Sequence, residues 1–81
     1  MSVKDKLREY VLENYLFTDD QSALNDDDSF LDKGIIDSTG IMEVIFFIEE
    51  NFEISVADEE MVPENLDSIS NIVAFIDKKK S

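Results

Sequence analysis

The chain has 81 residues, enough for one domain over residues 1–81, and its 20 acidic and 7 basic side chains give a net charge of −13 at pH 7. It contains no cysteine and no histidine, which excludes disulfides, a thiol nucleophile and the usual general base at neutral pH. The charge disfavours nucleic acid as a direct partner, because its phosphates would be repelled, and it fits either simple solubility or partners with basic patches.

The first predicted element is an amphipathic helix over residues 3–16, preceded by a capping box of Ser2 and Asp5 in which Asp replaces the usual Glu. Its inward residues, at helical spacing, are Val3, Leu7, Tyr10, Val11 and Tyr15. The N-terminus is charged and lacks a signal-peptide core, and no apolar run approaches the ~18 residues of a membrane span. We therefore expect a soluble, cytoplasmic protein.

Residues 18–37 are rich in Asp, Asn and Ser and show no long period, so they form a predicted loop with a short helical turn around residues 22–24. Loops this long are uncommon unless they are tied down. The predicted anchors are Phe30, Leu31, Ile35 and Ile36. Gly34 is expected to supply a turn with positive φ. The acidic run at residues 26–28 does not match the ligand spacing of an EF-hand loop, so no specific metal site is predicted, and loose binding of divalent cations by the acidic residues stays an alternative.

A central helix is predicted over residues 38–51, because its apolar residues recur at three- and four-residue spacing. Asp37 or Ser38 is expected to cap its start. Its inward residues are Ile41, Val44, Ile45, Ile48 and Phe52. Met42, Phe46 and Phe47 fall partly outside this face. A helix that is apolar nearly all round is buried nearly all round, which indicates a second surface covered by another molecule.

Residues 53–56 alternate like a strand, but no second strand is available to pair with them, so an extended loop is predicted. Two alternatives follow. Either residues 58–61 form a short helix that Pro63 ends, or Pro63 opens a turn through Leu66.

Asp67 or Ser68 is expected to cap a last helix. Its inward residues are Ile69, Ile72, Val73 and Ile76, with Phe75 beside them. Three main helices, one short helix and a long first loop make up an all-α fold, a small four-helix bundle.

No catalytic site emerges from the residues. Only two glycines are present, so there is no glycine-rich phosphate loop, and most carboxylates are expected to be solvated surface groups. Ser38 is the one candidate for chemistry. Helix N-cap is the simplest role for this serine. Backbone N–H groups at a helix N-terminus also favour a phosphate, so a phosphodiester on Ser38 would lie in a favourable field.

These residues resemble a known family. The sequence Gly-Ile-Ile-Asp-Ser at residues 34–38, followed by Glu43, the apolar helix and Phe52, is similar to the acyl carrier proteins, whose hallmark is Asp-Ser-Leu at the start of the second of four helices. Phe30 before the motif and the acidic residues 58–60 after it also match. The resemblance covers essentially the whole chain.

The resemblance implies that Ser38, with Asp37 as its motif neighbour, carries covalent 4′-phosphopantetheine transferred from coenzyme A by a phosphopantetheinyl transferase. The chain would then be a monomeric tethered arm and not an enzyme, and it would hold an acyl or related carboxylic acid intermediate as a thioester. Implied further partners are an acyl-loading ligase or acyltransferase and downstream synthase enzymes with basic patches. The implied partner-facing residues are Thr39, Met42, Glu43, Phe46 and Glu50.

Two positions depart from the family pattern: Thr39 replaces the usual leucine and Gly40 the usual aspartate. These departures favour a carrier dedicated to one biosynthetic pathway, such as fatty acid or polyketide synthesis, over the general fatty-acid carrier. The central stretch also resembles D-alanyl and other aminoacyl carriers, so cargo stays open between these classes. The alternative to partner contact is core packing for Met42 and Phe46. For Glu43 and Glu50 it is a solvated position on the helix surface. The rival from another class is an acidic interaction module that is never modified.

Overall fold

Four helices and two 3₁₀ turns make up the regular structure of residues 2–80, the part of the chain that the computed structural model describes. The helices are α1 (Val3–Val11, continued by π-helical turns over Leu12–Leu16), α2 (Ser38–Phe52), α3 (Pro63–Leu66) and α4 (Ile69–Lys80). The 3₁₀ turns are Gln21–Ala23 and Asp58–Glu60. No strand occurs among these residues. The predicted all-α fold, with three main helices and one short one, is confirmed.

The first helix begins with a side-chain cap and ends in wider turns. The Ser2 Oγ accepts a hydrogen bond from the backbone N–H of Asp5 at 3.1 Å, as the sequence predicted. From Leu12 the backbone widens into π-helical turns, and the chain leaves the helix at Phe17, whose φ is 55°. The predicted helix over residues 3–16 is therefore present, although its last turns are not α-helical.

The long loop, residues 17–37, is held to α1 by Arg8. The Arg8 guanidinium donates to the carboxylate of Asp26 at 2.7 Å and to the backbone carbonyls of Gln21 and Leu24 at 2.7 and 2.8 Å. Only 12% of the Arg8 side chain is exposed. A partly desolvated guanidinium with several acceptors fixes a segment that has little regular structure of its own.

Apolar anchoring of the long loop is confirmed for two residues and wrong for one. Phe30 and Ile36 are buried, and Ile35 is partly buried against the core. Leu31 is 43% exposed. The chain turns here: the backbone N–H of Leu31 donates to the Asp67 carboxylate at 3.0 Å, and only Phe30 of the two neighbours reaches the core.

Two predicted turns of the long loop are also present. Gly34 has φ +66°, and a Cβ there would be strained by the backbone alone. The 3₁₀ turn at Gln21–Ala23 is capped by Asp20, whose carboxylate accepts from the backbone N–H of Ser22 at 2.9 Å and from its hydroxyl at 2.7 Å. These bonds from Ser22 hold the pKa of Asp20 below its usual value.

After α2 both predicted alternatives occur in succession: a 3₁₀ turn at Asp58–Glu60 and a single α-helical turn that begins at Pro63. Ser68 caps α4, its Oγ accepting from the backbone N–H of Asn71 at 3.1 Å. The Asp67 carboxylate binds the long loop instead, through the Leu31 backbone and the Ser29 hydroxyl.

α4 packs against α1 and α3. Val73, a predicted inward residue, is only partly buried. At about 100° per residue Phe75 and Val73 flank the inward face formed by Ile72 and Ile76, and of the two it is Phe75 that is buried.

The core joins all four helices and the long loop. Its buried residues are Leu7, Val11, Leu12, Leu24, Phe30, Ile36, Val44, Ile45, Ile48, Phe52, Val56, Leu66, Ile69, Ile72, Phe75 and Ile76. The predicted inward residue Ile41 of α2 is only partly buried. Between α1 and α2, Tyr10 stacks on Phe47 with ring centroids 4.0 Å apart. This packing presents the N-terminus of α2 and its Ser38 at the surface.

Candidate functional site

Asp37, and not Ser38, caps α2. The Asp37 Oδ1 accepts a hydrogen bond from the backbone N–H of Gly40 at 2.7 Å, which satisfies one of the free donors at the helix start. Ser38 is the first residue of the helix and is exposed. Because capping is provided by its neighbour, the Ser38 hydroxyl is available for other chemistry.

The electrostatic surroundings of Ser38 differ from those of the chain as a whole. α2 has 15 residues, all of them described, and no acidic side chain lies in its first turn. Aligned peptide dipoles place a partial positive charge at a helix N-terminus, and the first N–H groups have no partner within the helix. A phosphate ester on Ser38 is therefore locally favoured despite the net charge of −13.

An apolar cavity of about 240 Å³ adjoins Ser38. α2, the segment around α3 and the long loop line it with Leu31, Ser38, Ile41, Met42, Ile45, Met61, Val62, Pro63, Leu66 and Asp67. Leu31 and Ile41 lie here, which accounts for their incomplete burial in the core. All of the lining residues except Ser38 and Asp67 are apolar, so the cavity suits an apolar group.

The residues that the resemblance assigns to partner contact share one exposed face. The outward face of α2 consists of Thr39, Met42, Glu43, Phe46 and Glu50, and all of them are exposed. At about 100° per residue they cover an arc of about 100° on the helix. Met42 is 42% and Phe46 60% exposed, so core packing is wrong for these two side chains.

Tyr15 packs on the first turn of α2, a contact that sequence reasoning missed. Its hydroxyl lies 2.8 Å from Glu43 Oε2 and 3.3 Å from the Gly40 carbonyl oxygen. A Cβ on Gly40 would lie 2.6 Å from Ile36 Cγ2 and 3.2 Å from Tyr15 Cε1, so the glycine makes this packing sterically possible. Burial, followed by the hydrogen bond to Glu43, raises the pKa of Tyr15 well above its usual value. The phenol therefore stays protonated and acts as the donor.

A glycine within a helical pattern was the available signal for this contact, because such a glycine usually has a packing reason.

Residues 2–80 contain no group of three or more acidic side chains placed to hold a metal ion. No helix in this range has the length and apolar character needed to cross a membrane.

Comparison with known proteins identifies the family. No family model matches the chain. An acyl carrier protein from Solidesulfovibrio magneticus is 30% identical over 80 residues, which cover 99% of this chain and 97% of that protein. The chain belongs to the acyl carrier protein family. An acyl carrier protein from Akkermansia muciniphila is 32% identical over 77 residues, covering 95% of this chain and 91% of the relative.

Two further relatives concern cargo and fold. A D-alanyl carrier protein from Streptococcus uberis is 36% identical over 73 residues, 90% of this chain and 89% of that protein. A solution NMR structure of a holo acyl carrier protein from Nitrosomonas europaea superposes with a TM-score of 0.75 at 23% identity, covering 99% of this chain and 98% of that one. This likeness shows the fold.

Family membership confirms three expectations. The chain is a carrier and not an enzyme. Acyl carrier proteins carry 4′-phosphopantetheine, so this is the prosthetic group. Their partners are phosphopantetheinyl transferases and enzymes that handle acyl groups. The names of the relatives include both acyl and D-alanyl carriers, so they leave the cargo undecided.

Proposed function

We propose that Ser38 carries the 4′-phosphopantetheine group and that residues 1–81 act as one carrier domain. The observation that carries this assignment is an exposed serine hydroxyl at the first position of α2, beside an apolar cavity. Bound there, the group supplies the thiol that this cysteine-free sequence lacks. Asp37 fixes the helix start, and the free N–H groups of the first turn stabilise the phosphate.

In the transfer from coenzyme A, the Ser38 oxygen forms the new bond to phosphorus. The bond between that phosphorus and the nucleotide part of coenzyme A breaks, and the serine proton passes to a base of the transferase. This chain supplies neither histidine nor cysteine for that role. Asp37 caps the helix by accepting from the backbone N–H of Gly40, so we assign the base to the transferase.

The cargo is an acyl or related carboxylic acid intermediate, held as a thioester for a dedicated pathway such as fatty acid or polyketide biosynthesis. Support comes from the cavity, which is lined almost entirely by apolar side chains. Burial of a methylene group contributes about 0.8 kcal/mol, so an acyl chain gains from this cavity and a small amine does not. An aminoacyl cargo such as D-alanine is the second candidate, supported by the name of one relative.

The remaining proposals concern the setting. The net charge of −13 supports partners with basic surfaces: a phosphopantetheinyl transferase, an acyl-loading ligase or acyltransferase, and downstream synthase enzymes. The carrier acts as a cytoplasmic monomer. An acidic interaction module without modification becomes the alternative only if Ser38 never accepts the group.

Intact-protein mass spectrometry tests the Ser38 assignment. The chain is incubated with coenzyme A and a broad-specificity phosphopantetheinyl transferase, alongside Ser38→Ala and the matched control Ser55→Ala, which removes another exposed serine. We expect one phosphopantetheine on the parent and the control and none on Ser38→Ala. Because Asp37 is the cap, Ser38→Ala should lose less than about 1 kcal/mol of stability. Modification of Ser38→Ala would refute the assignment.

Cargo is tested by NMR on carriers loaded with octanoyl or D-alanyl groups through stable amide-linked pantetheine. We expect the octanoyl form to shift the resonances of the cavity residues Ile45 and Leu66, and the D-alanyl form to leave them unchanged. Ile69, buried in α4 outside the cavity lining, is the internal control. Equal shifts with both cargoes, or none with octanoyl, would contradict the preference for an apolar acyl group.

A further inference from the structure

Glu43 is the one carboxylate on the outward face of α2 that is held by a neighbouring helix among residues 2–80. The Tyr15 hydroxyl donates to Glu43 Oε2 at 2.8 Å. Its 3.3 Å distance to the Gly40 carbonyl is longer, and a single proton favours the charged acceptor. A carboxylate has about four acceptor sites, so one bond from Tyr15 leaves room for a cation from outside.

Tyr15 is itself fixed by packing. Its ring meets Tyr10 edge-on with centroids 5.9 Å apart, and Tyr10 stacks on Phe47 of α2 at 4.0 Å. The absence of a side chain at Gly40 admits the ring against the first turn of the same helix. The hydroxyl is therefore presented to Glu43 from a rigid platform, and this platform belongs partly to the helix that carries Ser38.

The surroundings of Glu43 indicate what it meets. Met42 and Phe46, its neighbours on the outward face of α2, leave 42% and 60% of their surfaces in solvent. A fixed carboxylate beside two exposed apolar side chains complements a cationic side chain with an apolar stem, such as arginine or lysine. The net charge of −13 also favours partners with positive charge.

We propose that Tyr15 is a positioning residue that holds the Glu43 carboxylate ready for a cationic side chain of the phosphopantetheinyl transferase. This inference rests on the proposed function of Ser38. An unrestrained glutamate has three rotatable side-chain bonds, and immobilising such a side chain on binding costs about 0.5–1.5 kcal/mol. Removing the Tyr15 hydroxyl should therefore raise KM for the carrier about 2- to 10-fold. kcat should not change, because Tyr15 does not touch the reacting atoms.

The test measures transferase kinetics on the full chain with Tyr15→Phe, Glu43→Gln and the double variant. Glu9→Gln, on the exposed side of α1, is the control for net charge. We expect a higher KM and an unchanged kcat for Tyr15→Phe and for Glu43→Gln, and a KM for the double variant no higher than for Glu43→Gln alone. The difference between the parent and Tyr15→Phe should shrink as salt is added, because the contact is ionic.

Glu43→Asp keeps the charge but shortens the side chain by one methylene, so it breaks the bond from the acceptor side without altering the tyrosine ring. It keeps the test valid if Tyr15→Phe proves poorly folded, and it should raise KM by the same 2- to 10-fold. An unchanged KM for both Tyr15→Phe and Glu43→Asp would overturn the proposal. So would a lower KM for Tyr15→Phe, which would mean that the tyrosine shields Glu43, or additive effects in the double variant.

The inference and the proposed function fail in different ways. If the parent chain is modified at Ser38 with kinetics that Tyr15→Phe does not alter, the role of Tyr15 is wrong and the carrier assignment stands. If no variant gains phosphopantetheine while Ser38 is intact, both are refuted.

Discussion

The long loop and the outward face of α2 use their apolar and charged residues in opposite ways. The long loop has little regular structure, yet Phe30 and Ile36 are buried and Arg8 binds three points along it. The outward face of α2 lies on a regular helix, yet Met42 and Phe46 are both exposed. Irregular backbone is therefore fixed for stability, while the regular helix leaves side chains free for contact with other molecules.

The contrast shows where to look for function in a domain of this size. A small chain has few apolar side chains to spare for its core. Those left exposed on a rigid element next to Ser38 indicate a binding surface better than loop length does. Equal substitutions at buried and at exposed positions should therefore have unequal effects on stability, the largest difference being expected for the aromatic rings.

The same substitution, Phe→Ala, should separate the two regions most strongly. Phe30→Ala removes a ring with 0% exposure and should cost about 3–5 kcal/mol of unfolding free energy. Phe46→Ala removes a ring that is 60% exposed and should change stability by no more than about 0.5 kcal/mol. Urea denaturation measures both. Phe46→Ala should instead weaken transferase binding, seen as a raised KM.

Comparable losses of stability in the two variants would show that Phe46 is part of the core. An unchanged KM for Phe46→Ala, with an unchanged melting curve, would show that this ring does not contact the transferase.

Among the cations that bind the long loop, the loss on removal should depend on burial. Arg8→Met keeps much of the apolar stem but removes the donor to the Gln21 and Leu24 carbonyls and one of the two cations that bind Asp26, the other being Lys4. We expect a loss of about 2 kcal/mol. Lys33→Met is the control: its ion pair with Asp28 spans 3.6 Å and the lysine is 59% exposed, so the loss should stay below about 1 kcal/mol.

Thermal melts at low and moderate salt check this prediction. Equal losses for Arg8→Met and Lys33→Met would mean that the long loop is held by its apolar residues alone.

Acid should weaken the attachment of the long loop through Asp26. The hydrogen bond from Lys4, together with Arg8, holds the pKa of Asp26 below its usual value. A carboxyl with a lowered folded-state pKa stabilises the fold above its unfolded pKa, about 3.9, and this stabilisation disappears as the pH falls through the folded value. The difference in free energy of unfolding between the parent and Asp26→Asn should therefore be constant near pH 7. It should decrease towards zero below about pH 4.

Asp19→Asn, an exposed aspartate with the same change in net charge, is the control and corrects for the general decrease in repulsion on acidification. A difference for Asp26→Asn that does not depend on pH would show that Asp26 acts through its shape and not its charge. The effect should be smaller than that of Arg8→Met, because Asp26→Asn leaves the bonds from Arg8 to the Gln21 and Leu24 carbonyls in place.

Local sequence signals predicted the helices and most of the core. Three- and four-residue spacing predicted α2 to within one residue at both ends, and the predicted first helix over residues 3–16 spans α1 together with its π-helical turns. α4 begins directly after its predicted cap. Caps were predicted as pairs of candidates, Asp37 or Ser38 and Asp67 or Ser68, because neighbouring residues of similar chemistry compete for the same backbone donor. The three-dimensional arrangement selected Asp37 and Ser68.

The features that could not be predicted depend on contacts between distant residues. Tyr15 and Glu43 are 28 positions apart, and nothing in the helical spacing of either segment predicts their hydrogen bond. Leu31 is apolar and was predicted to anchor the loop in the core, but it lines the cavity beside Ser38. The carboxylate of Asp67 binds the backbone N–H of Leu31 and so fixes the turn that contains this residue. Spacing along one helix determines which face is apolar, but it does not determine which neighbour covers that face.

The smallest predicted effect concerns Phe17, which belongs to the long loop by position but resembles the outward face of α2 in exposure. Its φ is 55° and 83% of its surface is in solvent. The left-handed region costs an L-residue about 1–2 kcal/mol, partly offset in Phe17→Gly by the greater freedom of glycine in the unfolded chain. We expect Phe17→Gly to stabilise the fold by about 0.5 kcal/mol, and Glu53→Gly, at φ 56° after α2, to do the same. The transferase KM should stay unchanged for both variants. A raised KM for Phe17→Gly alone would show that the transferase contacts the long loop as well as the outward face of α2.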